Sequence, residues 1–149
     1  MAMKILVLNG PNLKRLDLRE ATIYGDIDYQ KLVEFVSESA EVEGFEADIR
    51  QSDDEAVLIG WLHEAADQKL PVIINPAAFT HYSYAIRDAV SMLKAPVIEV
   101  HISNPLGREE FRHTSVISGV VNGTIGGFGI NSYRLALIAM KGLVKDLTN

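Results

Sequence analysis

The sequence ILVLNGPNLKRLDLREATIYG fills residues 5–25 and joins an apolar run to a polar loop. The apolar run, residues 5–8, is typical of a buried strand, and Gly10 and Pro11 end it with a turn. The segment after the turn has no clean hydrophobic period and is longer than most connections, which favours a functional loop. This loop carries two arginines and a tyrosine, namely Arg15, Arg19 and Tyr24. A strand end followed by amide side chains, arginines and a phenol predicts a site for a small anion.

Apolar strands and amphipathic helices alternate along the rest of the chain. Strands are predicted over residues 5–8, 45–51, 72–74, 97–102 and 116–121. Helices are predicted over residues 28–43, 52–68, 80–93 and 130–147. Ser52, with Glu55 three residues later, has the pattern of a capping box, and Thr80 or Ser83 is the expected start of the third helix.

This alternation predicts the fold class. Continuous apolar strands between amphipathic helices indicate a parallel sheet that is covered on both faces. We expect an α/β fold of the flavodoxin-like, doubly wound kind: a five-stranded parallel sheet in a three-layer αβα sandwich, with strand order 2-1-3-4-5. Residues 1–149 are expected to form a single domain.

The composition limits the classes of function. The net charge is −6, which disfavours nucleic acids and anionic membranes as partners. The chain has no cysteine, so disulfides, thiolate metal sites and cysteine nucleophiles are excluded. The first residues form too short an apolar run for a signal peptide, and no run is long enough to cross a membrane. We therefore expect a cytoplasmic, soluble protein.

Polar residues gather where the predicted strands end. In doubly wound folds ligands bind beyond the carboxyl ends of the strands, where the strand order reverses. This rule brings together residues 9–12, 75–81 and 101–104. Among them, His101 follows Glu99 by two residues, so both side chains point to the same side of the strand. A carboxylate in that position would orient the imidazole as a general acid; a solvated histidine at a strand end is an equally good interpretation.

The residues alone do not select a base. A free phenol has a pKa of about 10, so a tyrosine base at neutral pH needs about 4 kcal/mol of stabilisation of its anion. Arg19 lies five residues before Tyr24 and is the obvious source of this stabilisation. Without further information, a tyrosine that packs the loop against the protein is the preferred interpretation.

Substrate contacts are predicted on a helix and on a loop. His81 and Asp88 lie seven residues apart, and thus on one face of the predicted helix. They could form a substrate-binding pair, or they could be surface residues with Asp88 paired to Arg87. A third interpretation is that Asp88 faces a neighbouring subunit. In the loop of residues 104–113, Arg108 or Arg112 is suited to clamp a carboxylate, unless both are solvated. Ser103 would offer its hydroxyl or backbone amide to the same group.

Residues 127–129 form a glycine-containing turn before the last helix. A flavodoxin-like module that binds a nucleotide or flavin is therefore a rival interpretation. The support is weak because Ser132 occupies the third glycine position and the turn is the last rather than the first of its kind. A tight crossing between strand and helix explains the glycines better. A catalytically idle oligomer on the same scaffold is a second rival.

Six motifs together resemble the type II 3-dehydroquinate dehydratases. They are LNGPNL (8–13), REATIYG (19–25), NPAAFTH (75–81), IRDAV (86–90), EVHISN (99–104) and REEFRH (108–113). The resemblance implies a flavodoxin-like fold assembled as a homo-dodecamer of four trimers. It also implies a hydro-lyase that needs no metal and no cofactor and eliminates water from 3-dehydroquinate through an enolate, giving 3-dehydroshikimate.

The resemblance also assigns roles to residues. Tyr24 looks like the base, Arg19 like the cation that keeps it ionised, and His101 like the acid. Glu99 is expected behind His101, and Asn12 resembles the residue that holds a water against the enolate oxygen. The substrate-binding positions are matched by Asn75, His81, Ile102, Ser103, Arg112 and, from a neighbouring subunit, Asp88. Residues 18–25 would form a lid that closes over the substrate.

Overall fold

The structure, a computed structural model, describes residues 2–148. Its strands are β1 (Met3–Asn9), β2 (Phe45–Gln51), β3 (Val72–Asn75), β4 (Val97–His101) and β5 (Gly123–Gly126). Its α-helices are α1 (Ala21–Tyr24), α2 (Tyr29–Val42), α3 (Glu55–Gln68), α4 (Tyr84–Ser91) and α5 (Asn131–Thr148). Short 3₁₀ turns occupy Leu13–Leu18, Ala77–His81, Pro105–Gly107, Glu110–His113 and Ser118–Val120.

The five strands form one parallel sheet in the order β2-β1-β3-β4-β5, which confirms the predicted flavodoxin-like α/β fold. The apolar run in β1 is continuous because both faces of the sheet are covered. Ile5 and Val7 pack into one core with residues of α2 and α5, whereas Leu6 and Leu8 pack into a second core with residues of α3 and α4. The period-two alternation of a strand thus divides one apolar run between two cores.

The prediction that the last strand spans residues 116–121 is wrong. The strand that pairs with β4 is Gly123–Gly126, with Ile98 opposite Gly123 and His101 opposite Gly126. The apolar residues of the predicted strand pack against the second core instead, and Ile117 is fully buried there. The error arose because a glycine-rich edge strand has a weak pattern, while an apolar loop that covers a core looks like a strand.

Two helix starts also correct or refine the predictions. Asp54, not Ser52, caps α3, since its carboxylate accepts a hydrogen bond from the amide of Ala56. Ser52 accepts a hydrogen bond from the Asp54 amide instead. Ser83, one of the two predicted starts, caps α4 by accepting a hydrogen bond from the Ile86 amide. The other candidate, Thr80, lies in the preceding 3₁₀ turn, where its hydroxyl binds Glu99.

Two glycine positions shape the edge of the sheet that carries the loops. A Cβ atom on Gly10 would lie 2.7 Å from the carbonyl oxygen of Pro76, so only glycine lets the loops after β1 and β3 approach this closely. Gly127 and Gly129 have φ angles of 94° and 62°, which side-chain-bearing residues rarely adopt. These two glycines make the tight turn from β5 into α5. No helix within residues 2–148 is long and apolar enough to cross a membrane.

Candidate active site

A cavity of about 120 Å³ opens at the carboxyl ends of β1, β3 and β4. Nine of the predicted site residues line it: Asn12, Arg19, Tyr24, Asn75, His81, His101, Ile102, Ser103 and Arg112. Three separate loops therefore contribute to one site, as the rule for doubly wound folds predicts. Glu99 lies behind His101 and Asp88 lies outside the cavity.

Tyr24 lies between two guanidinium groups. Its ring is 8% exposed, and its hydroxyl oxygen accepts hydrogen bonds from Nη2 of Arg19 and, at 2.8 Å, from Nη1 of Arg108. The two guanidinium carbons also lie 4.1 Å (Arg19) and 5.1 Å (Arg108) from the centroid of the tyrosine ring. The Tyr24 oxygen therefore accepts hydrogen bonds from two charged donors on separate loops.

Arg108 is the functional candidate that the sequence reasoning left unassigned. The loop residues had left Arg108 and Arg112 as alternatives, and the family resemblance selected Arg112. Both line the cavity, but Arg108 also donates to the Ser103 hydroxyl at 3.1 Å and to Tyr24, 84 positions away in the chain. The sequence signal was only that an arginine follows β4 in a polar loop. Its pairing with Tyr24 depends on how two distant loops fold together.

His101 and Glu99 form the predicted pair. Nε2–H of His101 donates to Oε2 of Glu99 at 2.5 Å, as expected for two side chains on the same side of β4. Glu99 has no solvent exposure and also accepts hydrogen bonds from the hydroxyls of Thr80 and Ser118, each at 2.6 Å. Burial raises the pKa of the Glu99 carboxyl, but the bond and charge of His101 and the two hydroxyl bonds outweigh it, so the pKa lies below its usual value.

A second buried network positions Asn75. Its Oδ1 accepts a hydrogen bond from the Ala77 amide at 3.1 Å, and its Nδ2 donates to the hydroxyl of Tyr133 at 2.9 Å. Tyr133 donates in turn to Oδ1 of Asn9 at 2.6 Å. Burial raises the pKa of the Tyr133 hydroxyl, so this tyrosine remains a neutral donor and acceptor. The orientation of the Asn75 amide is thereby set before any ligand binds.

The other predicted residues are held by their own loops. Asn12 has a left-handed backbone with φ 69°, and its backbone N–H donates to Oδ1 of Asp53 at 2.8 Å. Nδ1–H of His81 donates to the carbonyl of Thr114 at 2.7 Å, and Nε of Arg112 donates to Glu109 at 3.1 Å. These bonds leave Nε2 of His81 as an acceptor and further donors of Arg112 for a ligand.

Asp88 lies on α4 with its side chain 78% exposed, 3.9 Å from Arg87. The interpretation as a surface pair with Arg87 thus matches this chain, and a contribution to a neighbouring subunit stays a prediction. Within residues 2–148, no group of three or more histidine, aspartate or glutamate side chains is arranged to hold a metal ion.

Comparison with known proteins gives consistent matches. A family model described as "Dehydroquinase class II" matches residues 3–141. Over 135 residues, the chain is 53% identical to a 3-dehydroquinate dehydratase of Salinispora tropica and 55% identical to one of Mycobacteroides abscessus; each alignment covers 91% of this chain and 94% of the relative. The crystal structure of a type II dehydroquinase from Propionibacterium acnes superposes with a TM-score of 0.92 and 51% identity, covering 95% of this chain and 98% of that one.

Proposed function

The chain belongs to the class II dehydroquinase family and is a 3-dehydroquinate dehydratase, a hydro-lyase, and we propose that it eliminates water through an enolate with Tyr24 as base and His101 as acid. The observation that carries this proposal is the position of the Tyr24 oxygen between Arg19 and Arg108, in a cavity that His101 also lines. One side of the cavity favours an anion and the other favours a cation. The proposed base and the proposed acid therefore line the same cavity.

The first step is the removal of a proton. A C–H bond next to a ketone is only weakly acidic, so it requires a strong base and stabilisation of the enolate. The Tyr24 phenolate takes this proton, and the electron pair of the C–H bond moves to the ketone oxygen. Asn12, on the loop after β1, holds a water against that oxygen. Closure of residues 18–25 excludes other water while the phenolate acts.

The second step is the loss of the hydroxyl group. The enolate electrons form the carbon–carbon double bond, and the carbon–oxygen bond breaks. Because Nε2–H of His101 is bound to Glu99, Nδ1 is the nitrogen that delivers the proton to the departing oxygen. Water leaves, and His101 remains neutral with its Nε2–H on Glu99. The reaction needs no cofactor, since the two side chains exchange one proton each with the substrate.

Substrate binding uses the remaining cavity residues. Arg108 uses only Nη1 for Tyr24 and Ser103, and its buried Nε has no hydrogen-bond partner among the described residues, so both arginines keep donors for the substrate. The family resemblance favours Arg112 for the direct contact. Arginine binds oxygen anions with directed hydrogen bonds. The other proposed contacts come from the ends of β3 and β4 and the turn after β3, namely Asn75, His81, Ile102 and Ser103.

The assembly is also a proposal. The family resemblance favours a dodecamer of four trimers in which Asp88 reaches the site of a neighbouring subunit. The exposure of Asp88 in the single chain supports such a role. Light scattering on the purified protein tests the assembly, and a stable monomer with full activity would contradict it.

One assay tests the reaction and its base. We expect the wild-type protein to convert 3-dehydroquinate, with the appearance of the ultraviolet absorbance of a conjugated enone. In Tyr24→Phe the ring stays and the oxygen is lost, so turnover should fall by about 10⁴-fold while circular dichroism stays unchanged. Wild-type turnover in this variant would show that Tyr24 is not the base.

A further inference from the structure

Behind the His101 imidazole, two hydroxyl groups bind the buried Glu99 carboxylate and a third binds one of these two. Thr80 and Ser118 each bind one carboxylate oxygen at 2.6 Å, and Ser115 lies 2.5 Å from the Thr80 hydroxyl. Thr80 is 1% exposed, so its hydroxyl bonds are protected from competition by water. None of these hydroxyls has a role in the two steps proposed above.

The hydrogen bonds of this cluster have only one possible direction. Ser115 Oγ accepts hydrogen bonds from the amides of Ile117 at 3.1 Å and Ser118 at 3.0 Å, so its own proton is donated to Thr80. Thr80 then has its proton available for Oε2 of Glu99, and Ser118 donates to Oε1. An ionised carboxylate can only accept hydrogen bonds, and it is therefore the species that satisfies every member of this cluster.

From this geometry we propose that Thr80 and Ser118 are positioning residues of the dehydratase: they hold Glu99 ionised and in one orientation, which keeps a proton on Nε2 of His101 and leaves Nδ1 for the departing hydroxyl. This inference rests on the proposed function. A buried carboxylate that loses a hydrogen bond from a hydroxyl is less well compensated for its lost hydration. It is then less firmly oriented, so the proton on Nε2 of His101 loses a fixed acceptor and the neutral ring more often carries its proton on Nδ1.

Other charged groups surround this pair and are unchanged by the test. His81, Arg112 and His113 line a second cavity of about 320 Å³ on the same side as the hydroxyl cluster. Across the active-site cavity lie Arg19, Tyr24 and Arg108. Thr124 also lines the second cavity without a hydrogen bond to Glu99, and it therefore serves as a matched control for a threonine substitution.

The first test compares four variants with the wild type. We expect Thr80→Val and Ser118→Ala to lower kcat by about tenfold, with KM within about twofold. Thr80→Ser retains the hydroxyl and should recover most of the activity. Thr124→Val should match the wild type. If Thr80→Val and Thr124→Val have the same kcat, the positioning role is wrong.

The second test asks whether Thr80 acts through Glu99. In a Glu99→Gln background, adding Thr80→Val should cause little further loss, because residues that act through one another are not additive. An equal loss in both backgrounds would overturn the inference. Nitrogen NMR of His101 gives a readout that does not need turnover: Thr80→Val should raise the share of the neutral ring that carries its proton on Nδ1, and an unchanged share would contradict the inference. A wild-type protein that leaves 3-dehydroquinate unchanged would instead contradict the proposed function.

Discussion

In the proposed mechanism, the lid side and the sheet side of the active-site cavity stabilise opposite charges by different means. On the lid side, Tyr24 receives hydrogen bonds from two arginines that lie on separate loops, and both arginines also lie against its ring. On the sheet side, Glu99 and His101 lie two residues apart on β4, and neutral hydroxyls complete the shell of the buried carboxylate. The difference indicates that an anion on a loop is stabilised best by full positive charges, whereas a buried strand can stabilise a cation with one oriented carboxylate.

The largest effect is expected when the lid side loses its second cation. Arg108→Gln removes a charged donor from the Tyr24 oxygen, and the phenolate is then less stable. We expect kcat to fall by about 10²- to 10³-fold, measured by absorbance of the product.

The matched control is Arg15→Gln, which removes the same charge from an exposed residue paired with Asp17. This control should keep wild-type activity. If Arg108→Gln loses no more activity than Arg15→Gln, then Arg19 alone stabilises the base, and the contrast between the two sides of the cavity is smaller than the geometry indicates.

A smaller loss is expected when the sheet side loses its carboxylate. Glu99→Gln should lower kcat by about 10- to 100-fold and move the alkaline limb of the activity profile to lower pH, because a neutral amide does not stabilise an imidazolium. A kcat profile identical to that of the wild type would show that Glu99 does not act through His101.

Glu99→Gln should also change how the stability of the fold depends on pH. The pKa of Glu99 lies below its usual value, since the bonds of His101, Ser118 and Thr80 outweigh burial. Its interactions therefore stabilise the fold above the unfolded pKa of about 4.3, and this contribution is lost as the pH falls through the lower folded value. Urea unfolding between neutral and acidic pH should show a loss in the wild type that is reduced in Glu99→Gln.

The smallest effect on activity is expected from the buried network that joins the ends of β1 and β3. Tyr133→Phe removes the hydroxyl that links Asn75 to Asn9 and leaves buried amide groups unpaired. We expect a loss of about 1–3 kcal/mol in the free energy of unfolding, and a KM raised a few-fold with kcat retained. Tyr84→Phe, at a tyrosine that is 68% exposed, is the control. A variant as stable as this control would show that water replaces the lost hydroxyl.

The site could be predicted where its contacts are local. The Glu99–His101 pair follows from the two-residue period of a strand, and the gathering of residues at the ends of β1, β3 and β4 follows from a parallel sheet. The contact between Arg108 and Tyr24 spans 84 positions and has no period that could reveal it. Thr80 was a candidate helix cap in the sequence, but its hydroxyl is used by Glu99, and Ser83 caps the helix instead.

The sequence by itself determined the alternation of strands and helices, which indicates a parallel sheet, and the loops that carry the chemistry, because hydrophobic period and turn residues are properties of short segments. It also carried the motifs of the dehydroquinase family. Only the tertiary structure decided which strand closes the sheet beside β4, which arginine contacts the Tyr24 oxygen and which hydroxyls surround Glu99. Those choices depend on burial and on the distances between segments far apart in the chain. Packing sets these distances, whereas no local pattern encodes them.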